Sequence, residues 1–406
     1  MRNAADVLIL GGGLVGSALA TALDRSGLSS IVVDPADPAI MLGAGFDGRA
    51  SAVASASHKM LDAIGVGEKL RGKGCEIRQI RVSDGLKPGK LDFVPDPDDA
   101  ALGTMYENRL LRTVLHEAAR DAANVDLRMK TRATRVERTL DGVTAELSDG
   151  TTVTADLLVA AEGRQSPTRE EAGIAVARWQ YDHAAIVGAF HHERSHEDVA
   201  YEIFYPSGPF ALLPLPDDDI GHRSAIVWTV AAEHRAGMLK LGDRGFLAEA
   251  EARMGGFLGA LSAPSPRAAY PLGFHHAARI TDTRLALVGD AAHGIHPIAG
   301  QGVNLGYRDV AALTEVLVEG RRLGLEAGDA QLLRRYEGWR SLDTFMVAAA
   351  TDTLTRLFGV PGKAASAIRR FGISAVDRLP PLKDRFMAEA RGESGQLPRL
   401  LMGLAV

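Results

Sequence analysis

A single cysteine, Cys75, in 406 residues rules out an intrachain disulfide, and a lone thiol fits a reducing compartment in which its expected role is packing. Positive charge is short as well: 46 Lys and Arg against 51 Asp and Glu leave a net charge of -5, so no overall field holds nucleic acid. The chain lacks an apolar run fit to span a bilayer, because the stretch from Val7 to Leu23 is broken by Gly11, Gly12, Gly13 and Gly16. A buried-strand pattern beginning at Val7 leaves no room ahead of it for a secretory leader, which points to a cytoplasmic chain that touches a membrane peripherally at most. Repeats and low-complexity tracts are also missing. What remains is a chain that is 46% hydrophobic and 24% charged, long enough for two lobes and a sizeable core.

The charge is unevenly spread. From Arg321 to Val406 there are 14 Lys and Arg against 9 Asp and Glu, a local +5 that leaves -10 for the rest. Such asymmetry suits either a solvated Arg-rich helical face or a tail turned toward an anionic partner or lipid surface.

The chain opens as strand, glycine turn, helix, strand. Val7 to Leu10 is a short continuous apolar run, Val15, Leu19, Ala22 and Leu23 recur at helical spacing, and Ile31 to Val33 form the next strand. Between Ala133 and Ala155 the pattern alternates and is punctuated by Asp141-Gly142 and Asp149-Gly150, pairs that favour positive φ and tight hairpins. This meander feeds a buried strand at Leu157 to Ala160. Aromatic and short apolar runs from Trp179 to Tyr270, including YEIFYPSGPFALLPLP, predict a mostly antiparallel sheet that an early excursion around KPGKLDFVPDPDDA also joins. RLALV then restores the buried-strand pattern, and a long helix is expected from about Gly302 to Leu323. The resulting α/β division is a discontinuous nucleotide-binding domain over 1–74, 101–177 and 273–345, a sheet domain over 75–100 and 178–272, and a helical region over 346–406.

Three segments carry chemistry. Gly11, Gly13 and Gly16 form a G-x-G-x-x-G turn between a strand and a helix, whose first-turn amides favour a diphosphate. Asp34, at the end of the second strand, suits the hydroxyls of an adenosine ribose and repels a 2′-phosphate; FAD and NAD both remain open at this point. Far downstream, Gly289 and Asp290 end a buried strand, where the carboxylate suits a ribityl chain or, in the plainer reading, a helix N-cap. Gly300 and Gly302 follow at the start of a helix, where amides can stabilise negative charge on a flavin ring. The third segment, AAEGRQSPTR, places Arg164 and Arg169 beside a glycine turn, where they suit a diphosphate, a transient reduced nicotinamide dinucleotide, or a surface ion-pair cluster. His293 and His296 lack companions for a metal site, and the pairs His191-His192 and His275-His276 read as surface or loop residues.

GGGLVG, AAEGRQSPTR and GDAAHGIHPIAGQGVNLGYRD together resemble the three motifs of the class A flavin-dependent aromatic hydroxylases. With DGRASAVASAS and ENRLLRTVL, the third is similar to the ubiquinone-biosynthesis hydroxylases of that class, and the likeness covers nearly the whole chain. It implies a Rossmann-like FAD-binding domain of the glutathione-reductase and para-hydroxybenzoate-hydroxylase type, an inserted mostly antiparallel substrate domain and C-terminal helices. By resemblance, Gly11, Gly13, Gly16 and Asp34 hold the ADP half of a noncovalent FAD, Arg49 reaches the diphosphate, and Asn108 and Arg112 lie on the flavin side. Asp290 meets the ribityl chain, while Gly302, Val303 and Asn304 surround the isoalloxazine edge and the Pro297 carbonyl faces substrate; Gly289 and Gly300 complete the candidate cofactor residues. The family's middle motif carries Asp-Gly where this chain has Glu162-Gly163, so Glu162 receives no fixed nucleotide contact.

The implied reaction is ring hydroxylation with O2 and NADH or NADPH. A general base for a phenol is expected but not identified. Tyr205, Phe210, Leu213 and Trp228 are candidates for an apolar substrate wall, with ordinary sheet core as the competing reading. If the subfamily holds, the substrate is a polyprenylated phenol, the protein works beside the inner membrane among biosynthetic partner proteins, and QLPRLLMGLAV either docks on lipid or packs on the flavin domain. The alternatives are a hydroxylase of a small soluble aromatic acid, a catalytically silent FAD-bound scaffold subunit, and a flavin-free NAD dehydrogenase.

Overall fold

The computed structural model describes residues 2–43, 48–86, 90–96, 99–294, 302–341 and 380–406. Its organising element is the strand Ala4–Leu10, in which Val7, Leu8 and Ile9 are fully buried. It lies between the parallel strands Ser30–Asp34 and Thr152–Ala160, with Ile9 opposite both Val32 and Val159. The sheet continues to Val125–Met129 on one side and Leu285–Leu287 on the other. Helix Leu14–Arg25 packs on this sheet and against both the helix Asn108–Asp121 and the long helix Gly302–Arg322. Strands from three distant parts of the chain thus end side by side at one carboxyl edge, where an open α/β sheet binds its ligand.

The alternating segment forms the strands Ala133–Arg138 and Val143–Leu147, which pair antiparallel and lead into Thr152–Ala160. Gly150 adopts φ +84°, as the Asp-Gly hairpin reading requires, whereas Gly142 is not among the residues of positive φ.

Among the described residues the second sheet has nine strands and is antiparallel except where Val199–Tyr205 runs parallel to Gln79–Asp84. The excursion contributes Gln79–Asp84 and Lys90–Phe93 to this sheet. Cys75–Ile77 does not join it, and pairs instead with Gly103–Glu107, itself paired to Ala50–Ala54.

Side-chain parity gives the large sheet two unlike faces. Ile186, Phe190, Ile203, Phe210, Leu212 and Trp228 pack under the helix Asp243–Met254 through Phe246, Ala250 and Met254. Ala189, Ala200, Leu213, Leu215 and Ala225 face the other way, onto Ala52, Ile77, Leu102 and Met105. The second face therefore closes over the nucleotide-binding half.

The C-terminal segment packs on the nucleotide-binding domain. Leu400 and Leu401 are buried in its core, Arg399 N–H donates to Glu315 at 2.6 Å, and Trp339 Nε1 donates to the Gln396 carbonyl at 2.9 Å. Among the described residues, basic groups of the cationic region meet carboxylates elsewhere: Arg321 pairs with Asp6, Arg335 with Glu319 and Arg391 with Asp99. Replacing Leu401 by Ala should cost about 2–5 kcal/mol in denaturant unfolding, because the cavity lies inside a packed core. Leu404→Ala, at a site that is 47% exposed, should shift stability by less than about 0.5 kcal/mol. Equal effects from both substitutions would contradict a docked tail.

Candidate functional site

The glycine turn is shaped by two different demands. Gly11 sits at φ +106°, and a Cβ there would overlap the Ala161 carbonyl, while one on Gly16 would overlap the Gly11 carbonyl oxygen. Both positions are fixed by the protein's own packing. A Cβ on Gly13 would meet nothing within 4 Å. This residue precedes the first turn of helix Leu14–Arg25, whose leading amides have no intrahelical partner. Gly11, Gly13 and Asp34 line a cleft of about 590 Å³ together with Arg132, Gly163 and Thr168. Asp34 accepts the Gly12 and Ala36 N–H groups at 2.6 and 2.7 Å, which fixes the carboxylate and leaves lone pairs for hydroxyl donors. An open amide turn, a fixed carboxylate and a long cleft fit the adenosine diphosphate portion of FAD.

The far end of the site is the turn Gly289–Ala291, and buried polar groups hold it on several sides. Asp309, on the long helix, is fully buried. Its Oδ2 accepts the Gly289 N–H at 2.8 Å and His293 Nε2 at 2.7 Å, while Oδ1 accepts Arg340 Nε at 2.7 Å. Burial alone would raise the Asp309 carboxyl, but His293 and Arg340 outweigh it and hold it below the usual carboxylate range. His275 Nε2 donates to the Asp290 carbonyl at 2.7 Å, and Arg169 Nη1 donates to the Ala291 carbonyl at 2.9 Å. Burial lowers His275 to about 4, so the ring serves as a neutral donor.

These bonds leave the Asp290 side chain solvent-accessible. The protein packed around it raises its carboxyl, with Asp309 adding to the effect and Arg164 and His293 opposing it. A carboxylate so placed is a ready acceptor for a polyol chain. The two ends of the site touch through Val15, in the first turn of the first helix: a Cβ on Gly289 would lie 3.1 Å from its Cγ2, and one on Gly306 2.5 Å away.

On the flavin side, Asn304 is buried at the start of the long helix, donating to the Ala52 carbonyl at 2.8 Å and accepting the Ala54 N–H at 2.9 Å. Asn108 begins its own helix, accepts the Ser51 hydroxyl at 2.7 Å and donates its N–H to the Arg49 carbonyl at 3.0 Å. Arg112 lies one turn further along that helix, Arg49 is exposed, and Gly302 and Val303 open the long helix. Pro297, Gly300 and His296 lie outside the described residues.

Several sequence expectations change in the structure. Arg169 is fully buried and bonds carbonyls of two loops, Ala291 and Arg164, so it ties the site together and is not presented to a nucleotide; Arg164 is the exposed arginine of the pair. Glu162 accepts the Ser166 hydroxyl at 2.6 Å and the Thr168 N–H at 3.2 Å, which makes it a cap for the short helix Pro167–Glu171. The histidine pairs are in strands and not loops: His275 and His192 are buried, and His192 bonds the Arg194 carbonyl and the Ser224 hydroxyl.

Of the four substrate-wall candidates, Phe210 and Trp228 stack edge to face under the helix Asp243–Met254, and the Tyr205 hydroxyl donates to the Arg253 carbonyl on that same side. Only Leu213 lines the recess toward Asn304. Cys75, His196 and Asp198 place one ligand atom each within 4.8 Å of one another. Both His196 nitrogens are engaged, with the Asp198 N–H and the Leu215 carbonyl, and burial first, with Asp198, pushes the thiol up to about 12. This trio is a hydrogen-bonded cluster with no donor pair free for a metal.

The two kinds of glycine separate experimentally. Gly16→Ala should destabilise the flavin-free protein by about 1–3 kcal/mol through overpacking. Gly13→Ala should leave its unfolding midpoint within error of wild type and weaken FAD binding, read by flavin fluorescence titration. A Gly13→Ala protein that binds FAD normally would contradict this assignment of the cleft.

Residues 4–347 match the FAD binding domain family. The chain is 46% identical over 403 residues to the ubiquinone hydroxylase UbiL of Rhodospirillum rubrum, covering 98% of this chain and 93% of that protein. It is 32% identical over 389 residues to the 3-demethoxyubiquinol 3-hydroxylase of Escherichia coli, covering 95% and 98% respectively. Its fold matches the crystal structure of p-nitrophenol 4-monooxygenase from Pseudomonas putida with a TM-score of 0.80 at 19% identity, over 98% of this chain and all of that one. With the glycine cleft, the Asp290 turn and these likenesses together, the chain belongs to the FAD binding domain family and, within it, to the ubiquinone-biosynthesis flavin hydroxylases.

Proposed function

We propose that the protein hydroxylates a polyprenylated phenol of ubiquinone biosynthesis, with noncovalent FAD, NADH or NADPH as reductant and O2 as co-substrate. In this reading Gly11, Gly13, Gly16 and Asp34 hold the ADP half, Arg49 reaches the diphosphate, and Asp290 binds the ribityl chain on the turn that Gly289 begins. Gly302, Val303 and Asn304 flank the isoalloxazine, with Asn108 and Arg112 on the same side; Gly300 is also assigned to the cofactor and the Pro297 carbonyl to the substrate. Bound FAD supplies the activation of O2 once nicotinamide has reduced it. The chain's own residues bind and orient the two partners and exclude water.

One observation carries the substrate class. The recess between Asn304 and the large sheet is lined by Ala52, Ala54, Ile77, Ile80, Leu213 and Ala390 among others, and no cation is among its described lining residues. An aromatic acid buried there would have no partner for its carboxylate, at a cost of several kcal/mol. A neutral phenol with an apolar tail meets no such penalty. A substrate of this kind resides in lipid, so the reading includes peripheral contact with the cytoplasmic side of the inner membrane and contact with neighbouring biosynthetic proteins. With Leu400 and Leu401 packed inward, Met402 and Leu404 are the exposed apolar side chains of the tail.

Coupled turnover tests the proposal against its competitors. The FAD-loaded protein should convert NAD(P)H and O2 into hydroxylated product with a prenylated phenol. Removing the prenyl chain should lower kcat/KM by at least about tenfold, a loss of ~1.4 kcal/mol. Equal or better coupled turnover of 4-hydroxybenzoate would select the aromatic-acid reading, and a bound flavin that neither nicotinamide reduces would select the silent scaffold.

A further inference from the structure

One ionisable side chain in that recess has no task so far. Glu202 lies on the strand Val199–Tyr205, where alternation turns Ala200, Glu202 and Phe204 toward the nucleotide-binding half. It is 92% buried, since 8% of its surface is accessible, and it lines the recess together with Asn304 and Leu213. Its cross-strand neighbours are Val82 and Ala211, neither able to bond a carboxyl through its side chain. Beside Glu202 the recess holds about 40 Å³ of space, room for a hydroxyl group or a water.

The surroundings are mostly apolar: Ala52, Ala54, Ile77, Ile80, Leu213 and Ala390 line the recess with the neutral amide of Asn304, and none of them titrates. Tyr201 is adjacent in the chain, but its ring stacks on Phe257 toward the opposite face. Asp84 stands across from Phe204, one pair further along the strand. Arg81, the nearest cation on the adjoining strand, is bound to Asp92 at 2.7 Å.

We propose that Glu202 is the catalytic base that accepts the substrate's hydroxyl proton, an assignment that rests on the phenol-hydroxylase reading above. The phenolic O–H bond breaks, its proton moves to a Glu202 carboxylate oxygen, and the freed electron pair enters the ring as the ring carbon takes oxygen from O2 activated by the reduced flavin. As the ring regains aromaticity, its C–H proton leaves to solvent and Glu202 returns the first proton to the oxygen. The carboxyl ends as it began, and NAD(P)H supplies both electrons that reduce the second oxygen atom to water. Desolvation is what suits Glu202 to this work: burial in the apolar recess pushes its carboxyl up to about 7, so it is a stronger base than a solvated glutamate and still ionised above neutrality.

The test is the pH dependence of coupled hydroxylation in the FAD-loaded wild type and Glu202→Gln. Wild-type kcat/KM should rise about tenfold per pH unit below pH 7 and level above it, clear of the phenol's own ionisation near pH ~10. Glu202→Gln should lose that limb, fall about 100-fold at pH 8, and divert NAD(P)H oxidation to hydrogen peroxide. An unchanged limb and unchanged coupling in Glu202→Gln overturn the assignment while leaving the phenol-hydroxylase reading intact. A wild type that retains FAD but hydroxylates no phenol overturns that reading and this one with it. Stability gives a second readout. A carboxyl whose folded pKa is raised destabilises the fold as pH rises from about 4.5 through about 7, so Glu202→Gln should melt above wild type at pH 8 and with it at pH 4. A variant that melts lower at pH 8, or fails to fold, would show the carboxylate to be a structural partner and overturn the proposal.

Discussion

A carboxylate with no access to solvent holds the flavin side of this protein together. Asp309 accepts from the backbone of Gly289 and from His293 in one segment, and from Arg340 beyond the long helix. Desolvating three polar groups is costly, and the arrangement persists because the carboxylate oxygens are matched by donors and a fixed cation. Its value is positional. The turn it grips carries Asp290, whose side chain is exposed, and His275 and Arg169 secure the carbonyls of Asp290 and Ala291. Four segments far apart in sequence therefore determine where one exposed carboxylate points.

That turn meets the helix that follows the glycine loop through Val15, so the two segments proposed to hold the cofactor are registered by direct packing. Asn304 carries the registration outward. By bonding the backbone of Ala52 and Ala54 it fixes the start of the long helix to the strand Ala50–Ala54, which forms the floor of the recess below the large sheet. The flavin side, the recess and the Glu202 face of the sheet are consequently one connected body. A reaction that needs a ring held within bonding distance of a cofactor depends on such rigidity.

The glycine loop, the Asp290 turn, the central strand and the long helix were legible in the sequence because their signals are local: continuous apolar runs, helical spacing, and glycines at element boundaries. Asp309 was not, since a carboxylate in mid-helix reads as a solvated position until the residues around it are known to be buried. The same holds for Arg169, which a basic residue near a glycine turn suggests as a nucleotide contact and which the fold spends on loop carbonyls. Aromatic and short apolar runs identified the large sheet but not which face meets the nucleotide-binding half. Phe210 and Trp228 therefore drew attention by size, whereas Glu202, inside the aromatic run YEIFY, is significant only through its cross-strand neighbours. Side-chain parity is readable from a strand alone; its direction is not.

The most direct test of this account is the affinity of Asp309→Asn for FAD, titrated into flavin-free protein well below its unfolding temperature. Losing a charge-assisted bond worth about 1.5–3 kcal/mol should weaken binding roughly ten- to hundredfold, although residue 309 lines neither the cleft nor the recess. Wild-type affinity in that variant would mean that the Asp290 turn keeps its place without Asp309, and the central constraint would be lost.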